Sequence, residues 1–140
     1  MNTDPLDEVF GELEELEGPA RAKLAKLIVP FVKIHSESGK VGFSQDALTK
    51  LTPKHRILVF LLARLALSTR NPAHPASVPP KQIELEIDIP GGTVRPKLAE
   101  LVKERVVFKD ESGKYSVRPS NINRAESMLA DFLPKGETQP

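Results

Sequence analysis

The chain has 140 residues, 39% of them apolar, which suits one domain, with an extension, around a sizeable core. It contains no cysteine, so a disulfide framework and a thiolate metal site are excluded, and a net charge of +1 gives no bulk attraction to an acidic partner. The longest apolar run, residues 57–63, is far short of the roughly 20 residues that cross a bilayer, and no basic segment leads into an apolar run at the N-terminus, so the expectation is a soluble, cytoplasmic protein with no membrane partner.

Residues 5–17 read as a helix. Leu6, Val9, Phe10, Leu13 and Leu16 recur at three- and four-residue steps, and Asp4 suits the N-cap before Pro5. Gly18-Pro19 ends that helix and starts a second over residues 19–29, with Leu24, Leu27 and Ile28 on one side. Residues 31–35 and 41–43 have strand composition around the turn Glu37-Ser38-Gly39-Lys40, which repeats as Glu111-Ser112-Gly113-Lys114. The repeat lacks the spacing of a phosphate-binding loop, and turn chemistry at Gly explains both copies.

Residues 44–51 suit a short helix, and Thr52-Pro53 a cap and first position for a central helix over residues 53–68. Apolar residues fill 57–63 and 65–67, leaving almost no polar face, so the helix must be covered nearly all round by the N-terminal helices or a second subunit. Prolines at 72, 75, 79 and 80 make residues 69–79 a surface loop whose end, residues 76–78, adds a short strand to the later hairpin. Residues 80–87 form a helix with Ile83 and Ile87 inward, a Pro-Gly-Gly turn follows, and residues 92–104 form another with Val94, Leu98 and Leu101 on one face. Residues 106–108 and 115–117 bracket a Gly-containing turn and read as a hairpin. Ser120 is placed to cap a last helix to about Leu133, ahead of a polar tail, residues 134–140.

Helix, tight turn, helix and hairpin is the order of a winged helix-turn-helix. Ile89-Pro90-Gly91-Gly92-Thr93-Val94-Arg95-Pro96-Lys97-Leu98 resembles the start of the recognition helix in winged-helix DNA-binding proteins, which often reads I-P-x-G-T-V-R-x-x-L-x-x-L ahead of the wing. The resemblance spans residues 51–117, omits the first thirty residues, and is specific for the fold rather than for one regulator family. It implies duplex DNA binding, with the helix starting near Thr93 in the major groove and the hairpin around residues 110–114 beside the backbone. Pro96 departs from the pattern, because such helices usually carry a polar residue there.

Charge distribution fits that expectation. Residues 1–17 hold seven acids and no base, residues 18–56 eight bases against two acids, and residues 91–119 seven bases against four acids. Arg95 suits a guanine edge bidentately, and Thr93, Lys97 and Lys103 suit phosphate or base. Lys114 and Arg118 suit backbone phosphates. The bland alternative is a solvated charged surface, since Glu100, Glu104, Asp110 and Glu111 interleave with these bases.

His35, His55 and His74 are scattered, with no carboxylate pair or nucleophile elbow nearby, so the chain reads as a non-enzyme without cofactor or metal. The stripe Leu6, Val9, Phe10, Leu13 and Leu16 points to a homodimer, with folding back onto residues 53–68 and docking on a larger partner as alternatives. The expected fold is α+β, mainly α: an N-terminal helical extension (1–30), a winged helix-turn-helix with an additional β-hairpin (31–133), and a tail (134–140). The expected function is sequence-specific binding of double-stranded DNA by a small transcriptional regulator, and a winged-helix protein-interaction subunit is the alternative.

Overall fold

The computed structural model describes residues 18–35 and 37–133. The helix expected over residues 5–17 and the tail over residues 134–140 lie outside the described residues.

The described chain is α+β and mainly helical. Helix α1 (Pro19–Ile28) has proline at its first position and buries Leu24, Leu27 and Ile28 as the spacing predicts. Strands β1 (Val32–Ile34) and β2 (Val41–Phe43) pair antiparallel, with Lys33 opposite Gly42. Their turn closes at Gly39, whose φ of 77° favours glycine and whose missing Cβ leaves room for the His74 ring. A second contact, 3.1 Å between His74 Nε2 and the Glu37 carbonyl, ties this hairpin to the proline-rich loop.

Helix α2 (Gln45–Lys50) is capped by Ser44, whose hydroxyl accepts the Ala47 amide at 3.1 Å. Helix α3 (Pro53–Arg70) is capped by Thr52, which accepts the His55 amide at 3.3 Å. It runs two residues past the expected end. The Ser68 and Thr69 hydroxyls turn back onto the carbonyls of Leu65 and Ala66, so neither competes with the helix, which stops at Asn71 ahead of Pro72.

Helices α4 (Pro80–Ile87) and α5 (Gly91–Lys103) follow. The turn between them is residues 88–90 and not the expected Pro-Gly-Gly, because both glycines lie in the first turn of α5. Asp88 takes the left-handed conformation that ends α4, and the Glu84 carboxylate leans so close to Gly91 that a Cβ there would lie 2.7 Å from its Oε2. Strands β3 (Phe108–Lys109) and β4 (Tyr115–Ser116) form the second hairpin, with Lys109 opposite Tyr115. Val78 exchanges two backbone hydrogen bonds with Tyr115, so the proline-rich loop ends as a third strand reduced to a single bridge.

The last helix, α6 (Ile122–Leu129), sits between 3-10 turns at Pro119–Asn121 and Ala130–Phe132. Ser120 does not cap it. It is a residue of the first 3-10 turn, and the N-cap position falls on Asn121, whose side chain is engaged elsewhere.

Every residue of α3 from 57 to 65 is buried, and the cover comes from within the chain. Helices α1, α4, α5 and α6, both strands of the first hairpin and β4 pack against it. One buried polar residue interrupts the apolar run. Arg64 threads its stem through the core and donates from Nη2 to the Pro75 carbonyl at 2.8 Å, and burial pushes its pKa down. The apolar residues of α1 join the same core as those of residues 31–133. Among the described residues no helix is long and apolar enough to cross a membrane.

Candidate nucleic-acid interface

Helix α5 buries Val94, Leu98 and Leu101. At about 100° per residue, the line opposite them is Gly92, Pro96, Ala99 and Lys103, and all four are exposed. Thr93 and Lys97, one helical turn apart, flank this crest on one side, and Arg95 flanks it on the other. The site residues expected on α5 therefore do not form one row. Three of the four crest positions are small or apolar, and only Lys103 brings charge there. Pro96 lacks the amide that would bond to the Gly92 carbonyl, yet the helix continues through it to Lys103.

The flanking charges are partly compensated. Arg95 Nε lies 3.6 Å from Glu84 Oε2; the Arg95 side chain is 62% exposed and that of Glu84 only 16%. Lys97 lies 3.3 Å from Glu100. Lys54, at the start of α3, reaches Glu100 at 3.3 Å and Glu104 at 2.9 Å, joining α3 to α5. The bond to Glu104 is the main cause of a raised Lys54 pKa, and Lys97 followed by Lys54 holds the Glu100 carboxyl below its usual range. Lys103 has no carboxylate partner among the described residues.

The second hairpin is organised by an acid that sequence alone presents as a repulsive charge. Asp110 Oδ1 accepts from the Ser112 amide, the Ser112 hydroxyl and the Lys114 amide at 2.8–2.9 Å. These bonds, with that from the Lys114 amide foremost, hold the Asp110 carboxyl below its ordinary value. Gly113 supplies the left-handed turn with a φ of 85°. The Lys114 side chain is left exposed at the tip. Arg118 instead lies flat on Phe108, its guanidinium carbon 3.4 Å from the ring centroid, at the root of the hairpin.

Arg105 and Lys109 are not among the residues expected to act, yet they stand beside Arg118 around one cleft. Their basic character is visible in the sequence, but their convergence needs the hairpin register and a backbone reversal at Arg105, where φ is 64°. Two of the three histidines, His55 and His74, do structural work. His55 Nδ1 is 2.6 Å from the Thr52 hydroxyl and its ring is 4.6 Å from that of Phe132; burial, then the charge of Lys54, lowers its pKa. Among the described residues no group of three or more His, Cys, Asp or Glu is placed to hold a metal ion. The stripe Leu6, Val9, Phe10, Leu13 and Leu16 lies outside the described residues. No family model, curated protein or solved structure matches this chain.

Proposed function

We propose that α4, α5 and the second hairpin act as a winged helix-turn-helix that binds double-stranded DNA, in a small, cytoplasmic, homodimeric, non-enzymatic transcriptional regulator. The observation that carries the reading is the exposed crest of α5. Small side chains at Gly92, Pro96 and Ala99 let a helix approach a groove floor closely, and Pro96 and Ala99 suit apolar contact with thymine methyl groups. Arg95 on one flank and Thr93 and Lys97 on the other then reach toward opposite sides of the groove, while Lys103, Lys114 and Arg118 supply phosphate contacts. For Arg95 to reach a base it must exchange Glu84 for the DNA, a small loss for a pair 3.6 Å apart with one mostly exposed partner.

A protein-docking role is the second reading, and the compensation of Arg95 by Glu84 and of Lys97 by Glu100 favours it. Titrating the full chain against a duplex selected from a random pool, at two salt concentrations, separates the two. DNA binding gives an affinity that falls steeply with salt. Absence of binding at low salt removes the DNA reading in favour of docking.

A further inference from the structure

We propose that the cleft at the root of the second hairpin is a binding site for a small phosphate-bearing ligand. The inference goes beyond the DNA reading and does not depend on it, although Arg118 belongs to both. The cleft has a volume of about 400 Å3 and is lined by Val102, Arg105, Val107, Phe108, Lys109, Arg118, Ser120 and Asn121. That size lies within the roughly 300–1,000 Å3 of small-molecule sites.

Three of the lining residues are cations and none is an acid. Among the described residues no carboxylate pairs with Arg105, Lys109 or Arg118, whereas Lys54, Arg95 and Lys97 nearby are all paired. Uncompensated positive charge on this part of the molecule therefore lies at the hairpin root, at Lys103 and at Lys114 rather than along the flanks of α5.

The arginines are also held in place. Asn121 joins their backbones: its Nδ2 donates to the Arg105 carbonyl at 3.2 Å, and its Oδ1 accepts the Arg118 amide at 3.2 Å. Arg105 occupies the left-handed region that non-glycine residues avoid, and this reversal carries the chain from the end of α5 toward β3. Stacking on Phe108 holds the guanidinium plane of Arg118. Lys109 Nζ lies 5.7 Å from the centre of the Tyr115 ring. The carbonyls of Glu100, Leu101 and Val102 near the end of α5 accept the amides of residues 104–107, so they are engaged within the chain.

The ligand class follows from this lining. Two guanidiniums and an ammonium match a phosphate dianion, and the Ser120 hydroxyl adds a neutral donor. Val102, Val107 and Phe108 add apolar wall, which a backbone phosphate running over a convex surface would not use. The cleft also lies at the opposite end of α5 from Thr93 and Arg95, about 15 Å along a helix axis at 1.5 Å per residue.

Amide chemical-shift mapping of the full chain with AMP as probe, adenosine as control and a DNA duplex in a separate arm tests the site. AMP is expected to shift the amides of residues 105–109 and 118–121 saturably, and adenosine to leave them unmoved. Arg105→Gly is the informative variant, because glycine accepts the left-handed backbone, so the guanidinium is lost while the fold is kept. Arg105→Gly and Lys109→Gln should each weaken AMP at least tenfold with no fall in melting temperature. Equal AMP shifts in these variants, or shifts spread over surface lysines generally, identify an adventitious ion only and overturn the proposal. Shifts produced by the duplex but not by AMP overturn it as well, because the cleft is then a nucleic-acid backbone contact.

Discussion

Arg95 and Lys114 carry different kinds of information if the chain binds DNA. A guanidinium beside the crest of α5 reaches a base edge with two parallel donors, which an ammonium cannot reproduce. Arg95→Ala should cost about 1–3 kcal/mol on the selected duplex and flatten preference at one base pair. Lys114→Ala, at a tip held by Asp110, should weaken all duplexes alike and lower the slope of log affinity against log salt by about one. Competition titrations with selected and scrambled duplexes check both. His55 gives a pH dependence of stability. Its folded pKa lies below the ordinary value, so the folded protein binds the proton less readily than the unfolded chain. The stabilisation is present above about pH 6.5 and is lost as pH falls through the lower folded value. Melting curves between about pH 7.5 and 5 should fall more steeply for the wild type than for His55→Gln, which does not titrate there. Parallel curves would show that His55 does not link stability to pH.

The elements were legible in the sequence wherever pattern and cap agreed. Thr52-Pro53 announces the start of α3, and unbroken apolarity announces its burial. Leu62 is fully buried, so Leu62→Ala should cost about 2–5 kcal/mol in chemical denaturation; an unchanged midpoint and slope would show that the core does not close on α3. Where two elements meet, the sequence said less. The position of the α4–α5 turn depends on the left-handed Asp88, which no local pattern marks. The 3-10 turn at Pro119–Asn121 displaces the cap from Ser120 because Asn121 is spent on Arg105 and Arg118. Leu85 is 73% exposed because, of the apolar residues of α4, Ile83 and Ile87 face the core. The crest of α5 was open to reading, since Val94, Leu98 and Leu101 fix the opposite line as Gly92, Pro96, Ala99 and Lys103. The pairing of Arg95 and Lys54 with carboxylates was out of reach, because their three contacts reach across to a different helix, whereas Lys97 and Glu100 are an i,i+3 pair within α5 that the spacing shows.

At the scale of the whole molecule, α3 is covered by the chain itself, so a second subunit is not required to bury it. A shallow groove between α1 and α3 remains, lined by Leu24, Ala25, Ile28, Val29 and Ala66 and bordered by Arg21 and Arg70. The apolar stripe Leu6, Val9, Phe10, Leu13 and Leu16 lies outside the described residues. If that stripe joins two copies, deleting residues 1–17 should give a monomer by light scattering, and a surviving dimer would move the interface elsewhere. In the proposed function the crest of α5 enters a DNA groove. Ala99 is exposed in mid-helix, and glutamate there keeps helix propensity while placing an anion on the crest. The most direct measurement is the affinity of wild type and Ala99→Glu for the selected duplex, with melting temperatures recorded alongside. A crest that enters the groove predicts at least a tenfold loss of binding at unchanged stability. Equal affinity of the two proteins would contradict it.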